Sequence, residues 1–119
     1  MTTKIFKDFT FDSAHYLPNL PDDHKCRRMH GHTFHIRLTV EGPLKEPEGW
    51  VIDFADIKTV FKPIHHELDH RVLNEIPGLE NPTSEILAEW IWNRVIDKLP
   101  GLSSVEVKET CTSGCIYTK

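Results

Sequence analysis

The chain has 119 residues, 39% of them hydrophobic and 27% charged, which are ordinary values for a globular protein, so we expect residues 1–119 to form a single domain. The formal net charge of −4 argues against nonspecific nucleic-acid binding, which needs a basic surface. No apolar run is long enough to span a membrane and the first residues do not resemble a signal peptide, so we expect a cytoplasmic protein without a membrane partner.

The chain has three cysteines, and this odd number suits reduced thiols better than a disulfide framework. Cys111 and Cys115 are four residues apart, which is wider than the C-x-x-C spacing of zinc knuckles and redox motifs. We interpret these two as packing residues.

Two strands are predicted in the first third of the chain. From Lys4 to His15 apolar and polar residues alternate, and four residues share one parity and hence one face: Phe9, Phe11, Ser13 and His15. A loop rich in turn formers follows from Leu17. The second strand runs from about His30 to Glu41, and its apolar set shares parity with His30 and His32: Phe34, Ile36, Leu38 and Val40.

The middle of the chain predicts two helices. Asp53 is a good N-cap for a helix that extends to Leu68, although Pro63 should kink or interrupt it. The second helix opens within Asn81–Glu85, where a cap, a proline and an early acid agree. Its apolar stripe comprises Ile86, Leu87, Trp90, Ile91, Val95 and Ile96.

Two short strands, 105–110 and 114–117, close the chain, giving the element order ββααββ. Runs of strands on either side of a run of helices predict an α+β fold with an antiparallel sheet and both helices on one face. No internal repeat or separable second domain is visible.

Three histidines form a candidate metal site. His30 and His32 lie on one face of the second strand, and His15 ends the apolar face of the first, so antiparallel pairing would bring all three together. Three imidazoles with an open fourth position describe a catalytic zinc site. Zinc is favoured over iron because no carboxylate completes a two-histidine, one-carboxylate triad in this cluster. Taken singly, each histidine would rather be interpreted as a hydrogen-bonded core residue.

Cys26 is a candidate reactive group. It lies four residues before His30 between basic neighbours, and these, with a nearby metal ion, would favour its thiolate. Asp69 and His70 follow the first helix, and an Asp–His pair can orient and polarise a thiol. On spacing alone, however, Cys26 suits a simple buried cysteine and Asp69–His70 a helix C-terminal turn.

Glu109 ends a row in which Val105 and Val107 are apolar. An acid in that place is either paired or positioned for a ligand. A carboxylate can accept two parallel N–H bonds, the arrangement that the aminopyrimidinone edge of a pterin offers. A salt bridge to a lysine at the edge of the sheet explains the residue equally well.

Together these residues resemble the 6-pyruvoyl-tetrahydropterin synthase family. The shared features are Cys26-x-x-x-His30-Gly31-His32, the upstream His15, Asp69-His70 and Val107-Lys108-Glu109-Thr110, and the resemblance extends from Phe6 to Tyr117. The bacterial branch, the 6-carboxy-5,6,7,8-tetrahydropterin synthases of the queuosine pathway, is most similar. The features that favour it are the spacing of Cys26 from His30, the segment 81–85 and the segment 108–115.

The resemblance implies a tunnelling fold (T-fold), in which subunits join their sheets into a barrel and stack as a homohexamer with active sites between subunits. It implies that His15, His30 and His32 bind Zn²⁺, that Cys26 acts as acid or base tuned by Asp69 and His70, and that Glu109 anchors the pterin. The implied reaction converts 7,8-dihydroneopterin triphosphate to 6-carboxy-5,6,7,8-tetrahydropterin, acetaldehyde and triphosphate.

Three other functions are compatible with parts of this pattern. A 6-pyruvoyl-tetrahydropterin synthase would use the same substrate and keep all side-chain carbons. A non-catalytic zinc or pterin-binding module would be expected to lose Cys26 or the Asp69–His70 pair, and both are present. A zinc hydrolase would leave Cys26 and Glu109 without roles.

Overall fold

The computed structural model describes residues 2–119; Met1, the first residue of the predicted domain, lies outside that range. The elements in chain order are β1 (Thr3–His15), β2 (His30–Gly42), α1 (Phe54–Leu68), α2 (Ser84–Val95), β3 (Leu102–Lys108) and β4 (Gly114–Tyr117). Short 3₁₀ turns at Lys25–Arg27 and Leu73–Glu75 interrupt the loops after β1 and α1. The predicted α+β element order ββααββ is confirmed.

The four strands form one antiparallel sheet in the order β1-β2-β3-β4. Phe11 on β1 lies opposite Phe34 on β2, and their rings stack with centroids 5.0 Å apart. The apolar alternation of β2 continues onto β3, where Val105 and Val107 are fully buried. One face of the sheet is therefore apolar, as alternation predicts, and the core lies between this face and the two helices.

The caps of both helices follow from the sequence. The carboxylate of Asp53 accepts a hydrogen bond from the N–H of Ala55 (2.9 Å), and the hydroxyl of Thr83 accepts one from the N–H of Ile86 (3.1 Å). The expectation that Pro63 breaks α1 is wrong, because the helix continues to Leu68. Thr59 and Pro63 are both exposed, so the carbonyl that loses its amide partner can bind water.

Three local expectations need correction. Ile86, predicted on the apolar stripe of α2, is 40% exposed. Trp92 is buried instead and its ring contacts Tyr117, so the buried face of α2 extends toward β4. Strand β3 begins at Leu102 because the carbonyl of Gly101 already accepts a hydrogen bond from the N–H of Glu41 (2.8 Å). Cys111 is exposed, and only Cys115 packs against the core.

The free edge of β1 is covered where it approaches its C-terminal end. Residues 10, 12 and 14 turn their backbone groups away from β2, and these groups bond to residues of the 65–71 segment. The carbonyl of Thr10 accepts from the His65 ring (2.9 Å), and the N–H of Ala14 donates to the carbonyl of Arg71 (2.9 Å). The end of α1 is thereby fixed to the strand that carries His15.

Asn74 extends this attachment beyond the end of β1. Its side-chain oxygen accepts from the N–H of Tyr16 (3.0 Å), and its amide nitrogen donates to the carbonyls of Tyr16 (2.8 Å) and Glu80 (3.3 Å). One side chain thus satisfies both backbone groups of Tyr16, as a neighbouring strand would.

No helix among residues 2–119 is long and apolar enough to cross a membrane.

Replacing Asn74 should destabilise the protein. Asn74→Ala leaves two partly buried backbone groups of Tyr16 and the exposed carbonyl of Glu80 without this partner. We expect a loss of about 1–3 kcal/mol in the free energy of unfolding, measured by urea denaturation. Glu75→Ala, at an exposed neighbouring position, is the control and should cost about 0.5 kcal/mol or less. Equal losses for the two variants would contradict the role given to the Asn74 side chain.

Candidate metal centre and active site

The pairing of β1 with β2 brings the three histidines together. His15 lies directly opposite His30, and His32 lies opposite Ser13, two residues along the same face. The ring centroid of His15 is 4.6 Å from that of His30 and 5.3 Å from that of His32. One nitrogen from each ring lies within 4.8 Å of the other two, so the three can reach a single ion.

Hydrogen bonds orient two of these rings. Nδ1 of His15 lies 2.9 Å from the carbonyl oxygen of Pro82, and Nδ1 of His30 lies 2.7 Å from that of Arg28. A carbonyl can only accept, so each Nδ1 carries the proton and each Nε2 presents a lone pair. Metal-binding histidines are commonly held by such a bond from the second ring nitrogen.

The buried nitrogen of His15 fits a metal. His15 is 1% exposed, and its Nε2 has no hydrogen-bond partner among the described residues. Burial lowers the pKa of His15, so its ring is held in the neutral form that binds metal ions. An unpaired buried nitrogen is costly unless a ligand or ion satisfies it. This donor set, three imidazoles on converging strands, suits zinc.

Glu109 faces the same cluster, just beyond the last residue of β3. One carboxylate oxygen lies 3.8 Å from Nε2 of His15, and the other lies 3.8 Å from Nε2 of His32. The hydroxyl of Ser84, in the first turn of α2, donates to Oε1 (3.0 Å). The sequence-based argument that no carboxylate lies near the histidines is therefore wrong. The partners of Glu109 are these groups and not a lysine, among residues 2–119.

Asp69 and His70 form a pair that is fixed to the edge of β1. Nδ1 of His70 lies 2.9 Å from Oδ2 of Asp69. The backbone N–H of Asp12 donates to Oδ1 of Asp69 (3.0 Å), and the N–H of His70 donates to the carbonyl of Asp12 (2.6 Å). The bonds from Asp12 and His70 lower the pKa of Asp69, which keeps it ionised as a partner for the imidazole.

His70 has a left-handed backbone with φ of 58°, and its side chain is 78% exposed. Non-glycine residues rarely adopt this conformation, and such positions concentrate at functional sites. The turn directs the imidazole outward from α1, away from the core of its own chain. His70 is thus available to a molecule outside the chain.

Cys26 lies in the loop that joins β1 to β2. Its carbonyl accepts from the N–H of Leu17 (2.8 Å), and Arg27 holds the loop closed by donating to the carbonyl of Leu20 (2.8 Å) and pairing with Asp22 (2.7 Å). The loop therefore returns Cys26 to the end of the sheet that carries His15. The structure brings Glu109 to the three histidines, but no hydrogen bond or cavity of residues 2–119 joins Cys26 to Asp69 or His70.

Three residues at this site escaped the sequence analysis: Pro82 and Arg28, whose carbonyls orient the histidines, and Ser84, which holds Glu109. Pro82 and Ser84 flank the cap of α2, so the start of that helix contacts both the metal ligands and the carboxylate. The segment 81–85 was singled out for its capping pattern and for its resemblance to the bacterial branch of the family, and neither indicates contacts with the far ends of β1 and β3.

Comparison with known proteins assigns this arrangement to a family. Residues 4–119 match the family "6-pyruvoyl tetrahydropterin synthase". The chain belongs to that family. A 6-carboxy-5,6,7,8-tetrahydropterin synthase of Synechocystis is 45% identical over 95% of this chain and 91% of its own. A dihydroneopterin monophosphate aldolase of Pyrococcus furiosus is 40% identical over 85% of this chain and 82% of its own.

Solved structures confirm the fold. The 6-pyruvoyl tetrahydropterin synthase of Caenorhabditis elegans superimposes with a TM-score of 0.91, covering 100% of this chain and 96% of its own at 22% identity. The predicted T-fold, with a four-stranded antiparallel sheet and two helices, is therefore confirmed. The predicted membership of the 6-pyruvoyl-tetrahydropterin synthase family is confirmed as well.

The backbone of His70 gives a test of its unusual conformation. Glycine adopts φ of 58° without steric cost and alanine does not, so His70→Gly should be more stable than His70→Ala by about 1 kcal/mol. Denaturant unfolding of both variants checks this. Because both lack the imidazole, they form a matched pair, and equal stabilities would mean that the left-handed turn stores no such strain.

Proposed function

We propose that this protein is a cytoplasmic zinc-dependent lyase acting as one domain over residues 1–119. It converts 7,8-dihydroneopterin triphosphate and water to 6-carboxy-5,6,7,8-tetrahydropterin, acetaldehyde and triphosphate, a step toward queuosine and other 7-deazaguanines. The observation that carries the proposal is the three-histidine cluster with Glu109 beside it. The 45% identity to the Synechocystis 6-carboxy-5,6,7,8-tetrahydropterin synthase supports this choice of reaction.

Zn²⁺ held by His15, His30 and His32 would supply Lewis acidity to the oxygens of the substrate side chain. The bonds from Nδ1 of His15 and His30 to backbone carbonyls keep Nε2 of both rings available to it. Cys26 moves a proton to or from the side chain of the pterin as general acid or base. The backbone bond from Leu17 to Cys26 brings residue 26 near the end of β1 that carries His15, which supports this role.

Asp69 and His70 act on that proton. The Asp69 carboxylate holds Nδ1 of His70 at 2.9 Å and leaves Nε2 of the imidazole to face outward. In this orientation Asp69 fixes the tautomer, and Nε2 can accept a proton from a thiol or hydroxyl and return it.

Glu109 anchors the pterin. Its carboxylate is 26% exposed and has two oxygens, which match two adjacent N–H groups on the aminopyrimidinone edge.

The protein acts as a homo-oligomer, and we propose a homohexamer. The outer edge of β1 over residues 4–8 and the outer edge of β4 have no strand partner among residues 2–119, so each edge can pair with another subunit. Cys26 is separate from the outward-facing His70 within one chain. A site shared between subunits would bring the Cys26 of one protomer to the Asp69–His70 pair of its partner.

A second candidate reaction is a retro-aldol cleavage, favoured by the 40% identity to the Pyrococcus furiosus aldolase. That reaction breaks the bond between the first and second carbons of the trihydroxypropyl side chain. From the triphosphate it would leave a hydroxymethyl pterin and a two-carbon aldehyde that still carries the triphosphate, with no change in the oxidation state of the ring. A 6-pyruvoyl product, which retains all three carbons, remains the third outcome.

Mass analysis of the product distinguishes these reactions. When zinc-loaded protein is incubated with 7,8-dihydroneopterin triphosphate, we expect a 6-carboxy-tetrahydropterin and one equivalent of acetaldehyde. A hydroxymethyl pterin with a two-carbon aldehyde triphosphate would identify an aldolase, and a pyruvoyl pterin without aldehyde would identify the synthase. If zinc is bound and the substrate is unchanged, the binding-module interpretation replaces the proposal.

Two variants separate metal binding from proton transfer. Cys26→Ala removes the thiol and leaves the histidines, so turnover should fall at least about 100-fold while bound zinc stays near one per chain. His32→Ala removes a ligand and should lose both zinc and turnover. Zinc content is measured by metal analysis of the purified proteins. Full activity in Cys26→Ala would overturn the role given to the thiol.

A further inference from the structure

We propose that Glu109 is also a reversible fourth metal ligand. In the substrate-free protein its carboxylate closes the coordination of the ion held by His15, His30 and His32, and it leaves the ion when the pterin binds to it. The inference rests on the proposed function, because it gives the pterin-anchoring carboxylate a second role. Binding of the pterin to Glu109 would therefore also open a coordination position on the metal ion.

The first argument is geometric. Metal–ligand bonds of about 2.0–2.1 Å with tetrahedral angles place neighbouring ligand atoms about 3.4 Å apart. The carboxylate oxygens of Glu109 lie 3.8 Å from Nε2 of His15 and 3.8 Å from Nε2 of His32. Each oxygen is thus about 0.4 Å beyond ligand spacing from the one nitrogen that it faces. Two other carboxylates on the neighbouring strand and turn, Asp12 and Asp69, bond elsewhere.

The second argument is electrostatic. Nε2 of His15 is buried, carries a lone pair because Nδ1 donates to Pro82, and has no hydrogen-bond partner among the described residues. A carboxylate oxygen that faces such a nitrogen repels it unless a cation lies between the two. The contact between two groups that can only accept is therefore explained by a shared positive ion.

The third argument concerns mobility. Glu109 follows the last residue of β3, and its backbone lies in the turn that leads to β4. The hydroxyl of Ser84 holds Oε1 at 3.0 Å, on the side of α2, and can keep that bond while the carboxylate turns. A metal ion with four protein ligands has a closed coordination sphere, whereas one with three protein ligands has an open position that admits substrate. One carboxylate with two alternative partners would switch the centre between these states.

Metal affinity tests the resting ligand without any need for turnover. We compare the Zn²⁺ affinity of the wild type with that of Glu109→Gln, using a competing chelator. Losing a carboxylate ligand should weaken binding by about 10-fold or more. Glu85→Gln is the matched control, because Glu85 lines the same small pocket, is exposed and loses the same charge without facing a histidine. It should change the affinity by less than about twofold; equal effects of the two variants would overturn the proposal.

Coordination itself is followed with Co²⁺ in place of Zn²⁺. Neopterin, an oxidised pterin, is added until pterin fluorescence shows that the protein is saturated with it. The visible spectrum of the Co²⁺-loaded wild type should then change. Without neopterin, the spectrum of Glu109→Gln should differ from that of the wild type, because the carboxylate no longer contributes, and neopterin should change it less than it changes the wild type. An unchanged wild-type spectrum would overturn the exchange. Failure of the lyase reaction alone would leave these metal measurements intact, so the two proposals can fail separately.

Discussion

The register between β1 and β2 is the constraint on which the candidate metal centre depends. Phe11 lies opposite Phe34 in the core, and the same pairing continued toward the strand end sets His15 opposite His30. A slip of one residue would expose the apolar set of one strand and turn its histidines to the other face. Core packing and metal geometry are thus fixed by one set of strand contacts, and the hydrophobic face selects the metal-binding arrangement.

The free edge of β1 makes different contacts in its two halves. Near His15 its backbone groups hold Asp69, His70 and Arg71, so the edge positions an Asp–His pair next to the strand of the metal ligands. Farther along, the outer edge of residues 4–8 has no strand partner among residues 2–119. One strand therefore carries a candidate metal ligand on its face, the Asp–His pair on one part of its edge and an unpaired edge on the rest.

The sequence was sufficient for the features that depend on periodicity. The parity of His15, His30 and His32 follows from alternation alone, and the caps at Asp53 and Thr83 follow from residue type. It was insufficient for contacts between distant segments. Nothing local in Pro82 indicates that its carbonyl meets His15, 67 residues away, and nothing local in Glu109 indicates two histidines at 3.8 Å. Those contacts depend on how α2 packs against the sheet.

The division between rigid and mobile parts of the site has a physical reason. The histidines lie at the ends of paired strands, where backbone hydrogen bonds and buried rings hold them in place, as a metal requires. Cys26 and Glu109 lie in loops, and groups that exchange partners or protons must move between two geometries. His70 combines both properties, because its backbone is fixed in a strained turn while its exposed ring is free to meet a partner. The candidate groups of the proposed reaction thus lie on loops and turns around a histidine cluster that the paired strands hold in place.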